Sequence, residues 1–413
     1  MTVNNRWFQL AASLVAMIMI ANLQYAWTLF VKPLQAGHGW KLSDVQWAFT
    51  VFILCQTWVQ PLEGWLIDRT GPRIFISAAG VLCGIGWAGL GFATTLPMLY
   101  ATYAVAGIGA AFVYSGSIGS ALKWFRERRG LASGIMAAGF GGGTALFIPI
   151  IGSTIQTRGY ATAFLWTGVF QGIVILGVAQ FLRHPRSDGA PMPAATARGS
   201  ERLGTHHFTT AAMLRVPQFY VLYAMFVMMA TGGLLVTAQA GAVAQSLGIS
   251  VAALTLAASL SPMANGASRI FWGWASDRIG RELAMGIAFA LQAGCLLLVL
   301  TVGRLSGAWF AFTLVLVYFT WGEVFSLFPA TLGDYFGSRN ATSNYAVLYT
   351  AKGVAAILGG GVAAVLSEQS GGWSTGFYGS AALAFVAAVM AFRLRATSAT
   401  RKAMDLRAAI PAK

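Results

Sequence analysis

The chain has 413 residues, of which 57% are hydrophobic and only 9% are charged. Soluble domains carry about 25% charged residues, so this composition excludes an ordinary soluble protein and indicates one that is dissolved in lipid. The net charge is +15, but the basic residues lie in short clusters between apolar runs, which excludes a basic domain that binds nucleic acid.

Apolar runs long enough to cross a bilayer recur along almost the whole chain, since about 20 apolar residues span the hydrocarbon core. We predict twelve spans, in two sets of six. The first set covers 10–32, 44–67, 74–94, 98–122, 130–154 and 161–183, and the second covers 218–240, 251–275, 284–303, 307–329, 343–367 and 373–393. The fold class is therefore an all-α membrane protein.

A polar stretch rich in Pro, Ala, Arg, Ser and Thr separates the two sets of spans and is typical of a linker. The predicted organisation is an N-terminal six-helix bundle (1–183), a cytoplasmic linker (184–217), a C-terminal six-helix bundle (218–393) and a cytoplasmic tail (394–413).

The distribution of Lys and Arg orients the chain. With the N-terminus placed in the cytoplasm, 21 of the 27 basic residues fall on the cytoplasmic side and four on the other side. Positive residues accumulate in cytoplasmic loops, so we expect both termini in the cytoplasm. The two basic residues left over, Arg269 and Lys352, lie inside spans.

The loop after the second span is repeated after the eighth. The segments GWLIDRTG, which starts at Gly64, and GWASDRIG, which starts at Gly273, match in five positions at one offset of 209 residues. Duplicated halves of six helices predict alternating access, with a binding site near the midplane between the halves.

Arg269 and Lys352 are predicted to lie at a similar depth in the membrane. Arg269 is eight residues before Asp277 at the cytoplasmic end of its span, which is about 12 Å at the rise of a helix. Lys352 lies about 13 Å deep by the same rise. A basic residue at this depth costs about 2.5–3.5 kcal/mol, and a functional role is the default interpretation. Two such cations predict a cavity for an anionic substrate.

Glu323 is the acid that lies well inside a span. Trp321 and Phe325 are four residues apart and share one face of the tenth span, so Glu323, two residues from each, points roughly the other way. We favour an ion pair or a hydrogen bond with a neighbouring helix. The alternative is a proton-coupling residue.

Glycine crowds two spans at equivalent places in the two halves, around Gly139 to Gly143 and Gly359 to Gly361. Gly139 and Gly143 form a G-x-x-x-G pair, and small residues let helices approach closely. We therefore expect close contacts between the two halves at these glycines.

The repeated loop resembles the signature G-x-x-x-D-R-x-G-R of the major facilitator superfamily, which is nearly met twice. The fold that this resemblance implies has twelve transmembrane helices in two pseudo-symmetric six-helix bundles. It also implies that the Asp–Arg loops stabilise one conformation of the transport cycle without binding substrate. The residues concerned are Asp68, Arg69, Asp277 and Arg278.

Nearly the whole chain is similar to the oxalate/formate antiporter family within that superfamily, and bacterial monocarboxylate transporters are also similar. The segments that carry the resemblance include QYAWTLF from Gln24, KWF from Lys123, RGLASG from Arg129 and RIFWG from Arg269. The resemblance implies that an Arg and a Lys hold the substrate within a cage of other side chains. The implied substrate-binding residues are Arg269, Lys352, Gln24, Tyr25, Tyr114, Phe140, Trp321, Phe325 and Tyr349.

The chain departs from the oxalate carriers at three of these positions. They have Tyr where this sequence has Phe140 and Phe325, and Trp where it has Tyr349. Loss of hydrogen-bonding partners weakens strict recognition of oxalate and suits a monocarboxylate with a hydrocarbon end. Charge counting favours a dianion instead, since two cations balance two negative charges unless Glu323 reaches Lys352.

Two functional hypotheses follow. The first is uptake of a small, oxalate-like carboxylate in exchange for formate or another monocarboxylate, and the second is proton-coupled symport of a monocarboxylate such as lactate or pyruvate. A nutrient sensor with this fold is less favoured because the linker and tail are short. We expect no enzymatic activity, cofactor, metal site or nucleic-acid partner, and a monomer in the bilayer of the bacterial inner (plasma) membrane.

Overall fold

A computed structural model describes residues 5–63, 72–125, 129–183, 208–336 and 341–408. All regular secondary structure in these ranges is helical, as the apolar runs predicted. The loop that carries Asp68 and Arg69 lies outside the described residues, and so does most of the predicted linker.

Eight helices of the described part form the N-terminal half. They are α1 (Arg6–Tyr25), α2 (Trp27–His38), α3 (Leu42–Trp58), α4 (Pro72–Leu90), α5 (Leu96–Trp124), α6 (Arg129–Gly142), α7 (Ile148–Arg158) and α8 (Tyr160–Ala179). The first predicted span consists of α1 and α2, and the fifth consists of α6 and α7.

Nine further helices of the described part form the C-terminal half. They are α9 (Thr210–Met213), α10 (Pro217–Ser246), α11 (Val251–Ile279), α12 (Arg281–Thr301), α13 (Gly307–Trp321), α14 (Val324–Phe336), α15 (Ala341–Ala356), α16 (Ala363–Ser370) and α17 (Ser374–Ala408). The tenth span consists of α13 and α14, and the eleventh consists of α15 and α16.

Ten helical segments of the described part are long and apolar enough to cross a membrane, and each coincides with a predicted span. The other two predicted spans correspond to α3, which has 17 residues, and to α11. The α11 helix has 29 residues but is less apolar, because it carries buried polar residues such as Asn265 and Arg269. The predicted all-helical membrane fold is therefore confirmed.

Side-chain caps begin several of the helices. The side chain of Asn5 accepts a hydrogen bond from the backbone of Trp7 at 2.9 Å, and Thr95, Ser250 and Ser306 make equivalent bonds at the starts of α5, α11 and α13. These caps satisfy amide groups that have no partner inside the helix. Gly280 of the repeated motif has φ +94°, a conformation that favours glycine, and the chain turns there from α11 into α12.

Four spans are interrupted near their middles. The first span breaks at Ala26, the fifth contains a 3₁₀ turn at Gly143–Leu146, the tenth breaks between Trp321 and Val324, and the eleventh contains a π-helical segment at Ile357–Val362. Interrupted helices in transporters are typical of binding sites near the midplane. The breaks lie next to several of the predicted site residues.

The two halves meet where the fifth span packs on the eighth and the second packs on the eleventh. Gly141 faces the side chain of Arg269, Gly142 faces the backbone of Pro262, and Gly360 and Gly361 face Thr50 and Trp47. The expectation of close contacts between the halves at these glycine clusters therefore agrees with the structure.

The G-x-x-x-G pair itself does not join the halves. Gly139 packs on Leu14 and Ile18, and Gly143 packs on Ile18 and Ala21, so both glycines contact α1 in their own half. Gly141 and Gly142, which lie between the two members of the pair, face the other half. A pair spaced by four residues fixes one face of a helix, but it does not say which neighbour that face contacts.

Candidate substrate-binding site

Arg269 on α11 and Lys352 on α15 are both inside the protein, with exposed fractions of 1% and 0%. Neither forms a salt bridge with a residue of the described part. Burial of an unpaired cation is expensive, so the contacts of each side chain indicate how the protein satisfies it.

Lys352 is held mainly by amide oxygens of the other half. Its ammonium nitrogen donates to Gln24 Oε1 at 2.7 Å and to Gln56 Oε1 at 2.8 Å, and it lies 3.3 Å from the hydroxyl group of Tyr349. An ammonium group has three donors, so these three partners satisfy it. Gln24 and Gln56 lie on the first and second spans, and the bonds therefore cross the interface between the halves.

Arg269 also reaches the N-terminal half. One terminal nitrogen donates to the backbone oxygen of Ala137 on the fifth span, and the other lies 3.4 Å from the hydroxyl group of Tyr25 on the first span. The guanidinium carbon lies 4.4 Å from the centre of the Phe325 ring. Aromatic faces attract cations, so this ring supports the guanidinium group.

Aromatic rings connect the two cations. The ring of Tyr114 stacks on that of Tyr349 with centroids 5.2 Å apart and lies 5.4 Å from that of Phe140. The centre of the Phe140 ring lies 5.5 Å from that of the Tyr25 ring, and the centre of the Tyr25 ring lies 6.2 Å from that of the Trp321 ring.

The structure thus brings together all nine residues that the resemblance implied, from six different spans. They are Gln24 and Tyr25 of the first span, Tyr114 of the fourth, Phe140 of the fifth, Arg269 of the eighth, Trp321 and Phe325 of the tenth, and Tyr349 and Lys352 of the eleventh. Their role as substrate ligands remains a prediction.

Several hydrogen-bond donors of this cluster have no partner among the described residues. They are the side-chain amide nitrogens of Gln24 and Gln56, Nε of Arg269 and Nε1 of Trp321, and all four are buried. Because the oxygens of both glutamines face the ammonium group of Lys352, their NH₂ groups are left over. The cluster therefore contains free donors from both halves, which is the arrangement that an anion requires.

Gln56 and Asn265 also contact the cluster and were not predicted from the sequence. Asn265 lies one turn before Arg269 on α11, and its Nδ2 donates to the hydroxyl group of Tyr25 at 3.0 Å. Both residues are polar and lie in the middle of a span, which is the signal that singled out Gln24. The same signal was available in the sequence for these two residues.

Two acids are buried as well. Glu323 has no exposed surface and Glu63 is 1% exposed, whereas only Glu323 was predicted to lie well inside a span. Neither forms a salt bridge with a described residue. Both carboxylate oxygens of Glu323 lack a hydrogen-bond partner in the described part, so the favoured pairing with a neighbouring helix is not found there. Glu323 lies at the break between α13 and α14, where a regular helical facing does not apply.

The second copy of the repeated loop forms a small charged cluster. Asp277 pairs with Arg281 at 2.6 Å, and Arg281 also pairs with Asp334 of the tenth span at 3.3 Å. Arg278 lies over the ring of Trp274, with its guanidinium carbon 4.1 Å from the ring centre. The cluster links the eighth and tenth spans within one half. Its function in gating remains a prediction.

Comparisons with known proteins agree with this architecture. The family model of the Major Facilitator Superfamily matches residues 12–238 and 220–406. The oxalate:formate antiporter of Oxalobacter formigenes is 38% identical over 387 residues, which cover 94% of this chain and 91% of that protein.

Two more distant relatives are monocarboxylate transporters. Monocarboxylate transporter 12 of Xenopus laevis is 24% identical over 372 residues, which cover 85% of this chain and 80% of the relative. Monocarboxylate transporter 13 of Rattus norvegicus is 22% identical over 387 residues, which cover 86% and 87%. The predicted resemblance is confirmed by these matches: the chain is a multi-pass membrane protein that belongs to the Major Facilitator Superfamily and, within it, to the oxalate/formate antiporter family.

Proposed function

We propose that this protein is a secondary transporter of small carboxylate anions, which it moves by alternating access between its two halves. The leading form of the proposal is exchange of oxalate or a similar dicarboxylate for formate or another monocarboxylate. The nine-residue cluster around Arg269 and Lys352 would hold the anion.

The set of buried free donors carries this proposal. Gln24, Arg269 and Trp321 each present an N–H group without a partner in the described part. A buried donor without a partner costs about 1–3 kcal/mol. A carboxylate has two oxygen atoms with about four acceptor sites, so it can satisfy several of these donors together. A substrate without acceptor oxygens would leave this cost unrelieved, and a cationic substrate would be repelled by Arg269 and Lys352.

The partners of Lys352 favour a dianion. Its ammonium group contacts Gln24, Gln56 and Tyr349, and Glu323 is not among them. The two positive charges of the cluster therefore have no acidic neighbour in salt-bridge contact in the described part. One dicarboxylate would balance both charges, whereas a monocarboxylate would leave one unbalanced. The similarity to an oxalate:formate antiporter supports the same choice.

Proton-coupled symport of a monocarboxylate remains the second candidate. Phe140 and Phe325 line the cluster without a hydroxyl group, and both rings lie within 5.6 Å of the Lys352 nitrogen. These rings suit a substrate with a hydrocarbon end. The carboxyl group of Glu323, which has no hydrogen-bond partner in the described part, is the candidate proton carrier. The similarity to monocarboxylate transporters supports this alternative.

We also propose that the protein lies in the bacterial inner membrane as a monomer, with both termini in the cytoplasm. The excess of Lys and Arg on one side of the predicted spans supports this orientation.

The deciding experiment measures uptake of labelled carboxylates into proteoliposomes that contain the purified protein. Oxalate, formate, lactate and pyruvate are each offered outside, with buffer or formate inside, and with or without an inward proton gradient. Exchange predicts oxalate uptake that internal formate stimulates and that a proton gradient leaves unchanged. Lactate uptake driven by external acid would select the symport alternative. If no carboxylate enters under any condition, the proposal is wrong.

A further inference from the structure

The ammonium group of Lys352 has all its hydrogen bonds made by protein, and two of the three partners lie across the interface between the halves. Gln24 Oε1 and Gln56 Oε1 accept at 2.7 and 2.8 Å, and the third partner, Tyr349, lies one turn away on the same helix. Because an ammonium group has three donors, a carboxylate that binds it must displace one of these partners.

The terminal nitrogens of Arg269 are also bound by the N-terminal half, although its Nε has no partner among the described residues. Its terminal nitrogens reach the backbone oxygen of Ala137 and the hydroxyl group of Tyr25, both of which belong to the N-terminal half. In this conformation Arg269 and Lys352, the buried basic residues of the C-terminal half in the described part, are therefore both bound by acceptors of the N-terminal half. These acceptors are neutral oxygen atoms.

Alternating access requires the halves to close over the binding site and to open again on the other side. A buried cation without partners opposes closure, because removing it from water is costly. A substrate carboxylate can relieve that cost, and so can acceptors supplied by the opposite half. The two glutamines supply such acceptors at normal hydrogen-bond distances.

We propose that Gln24 and Gln56 act as internal substitutes for a substrate carboxylate. They let the two halves close over Lys352 between substrate molecules, so the carrier can return without a counter-substrate. The protein would then catalyse net transport as well as exchange, and the glutamines would set the ratio of the two rates. This inference rests on the proposed carboxylate transport and defines how that transport is coupled.

Gln56 is the better residue for a test, because Gln24 is one of the residues implied to bind substrate. Gln60 offers a matched control one turn along the same span. It is buried, and its amide nitrogen donates to the backbone oxygen of Gln56 at 3.2 Å, while Lys352 is not among its partners. Met has a similar size to Gln and lacks the amide oxygen, so Gln56→Met and Gln60→Met are the paired variants.

The experiment compares two fluxes in proteoliposomes. Net uptake is measured with buffer inside, and exchange is measured with saturating carboxylate inside. We expect Gln56→Met to lower net uptake at least tenfold and exchange at most about threefold, and Gln60→Met to change neither flux. Gln56→Glu keeps an acceptor on Lys352, so it should retain net uptake while its carboxylate competes with the substrate and raises the half-saturating concentration at least fivefold. Equal losses in both fluxes of Gln56→Met, or no loss in either, would overturn the inference.

A readout without substrate separates this inference from the proposed function. Hydrogen exchange is followed by mass spectrometry in the second and eleventh spans, with no carboxylate present. Gln56→Met should exchange at least threefold faster than wild type in these spans because closure is impaired, and Gln60→Met should match wild type. This result would stand even if wild-type protein moved no carboxylate, in which case the proposed function alone would fail. Unchanged hydrogen exchange in Gln56→Met would reject the role of the glutamines.

Discussion

The guanidinium carbon of Arg269 lies 4.4 Å from the centre of the Phe325 ring, and the ammonium nitrogen of Lys352 lies 5.6 Å from the same centre. One aromatic ring is thus shared by the two buried cations. Each cation is attracted by the face of the ring, which helps to fix both groups beside the free donors of the cluster. A substitution of Phe325 is therefore expected to affect the binding of both carboxylate groups of a dicarboxylate.

Phe325→Tyr is expected to increase the preference for oxalate over lactate by about tenfold. The resemblance to the oxalate carriers implies Tyr at this position, and the added hydroxyl group would donate a hydrogen bond to a substrate carboxylate, which contributes about 1.5–3 kcal/mol. The measurement is competition of unlabelled oxalate or lactate against labelled substrate.

Phe319→Tyr is the control for this change, because Phe319 is half-buried and packs on Phe271 instead of on the cluster. It should leave the preference unchanged. An unaltered preference in Phe325→Tyr would argue against a substrate contact at this ring.

Arg269→Gln and Lys352→Gln are each expected to abolish carboxylate uptake in proteoliposomes. Each change removes a buried positive charge that the anion would balance. Arg269→Lys keeps the charge but loses the planar fork that matches a carboxylate, so it should lower uptake at least tenfold without abolishing it. Size-exclusion chromatography and thermal stability check that the variants fold. Normal uptake by both Gln variants would exclude the proposed anion site.

Gly141→Ala is expected to raise the half-saturating substrate concentration about tenfold. A Cβ atom at position 141 would lie 3.0 Å from the guanidinium carbon of Arg269, so the side chain must move away from its present contacts. Gly134→Ala lies on the same helix and would meet nothing within 4 Å. The kinetics of labelled uptake should therefore change in the first variant alone. Equal kinetics in the two variants would show that the position of Arg269 is not critical.

Glu323→Gln is expected to leave oxalate–formate exchange within about twofold of wild type. Glu323 is not a partner of Lys352, and both its carboxylate oxygens lack hydrogen-bond partners in the described part. The exchange rate is compared at equal pH on both sides and across a proton gradient, and neither protein should respond to the gradient. A loss of more than tenfold in a folded variant would contradict this expectation, and lactate uptake that is proton-driven in wild type alone would assign proton coupling to Glu323.

Particular residues show where prediction from the sequence succeeded. Arg269 and Lys352 were predicted as site residues because they were the two basic residues that lay inside predicted spans. Both are buried in the structure. The resemblance to a known family supplied the aromatic residues around them. Gln56 and Asn265 were missed even though polar residues in the middle of a span are themselves a signal.

Other features could not be read from the pattern. Gly139 and Gly143 contact α1 of their own half, whereas Gly141 and Gly142 face α11 of the other half. In a membrane, the faces of a helix that contact lipid and those that contact other helices can both be apolar, so the sequence pattern does not show which helix packs on which face. The helix is also broken between Trp321 and Val324, so the direction of the Glu323 side chain could not be predicted from regular helical geometry.

The sequence by itself determined the membrane class, the two similar halves and the presence of two cations at one depth, because these follow from apolar length, a repeated motif and the positions of charges. The tertiary structure alone decided which side chains satisfy those cations. The bonds from Lys352 to Gln24 and Gln56 join residues 328 and 296 positions apart. Such contacts depend on how six-helix halves pack against each other, and local helical periodicity carries no information about that packing.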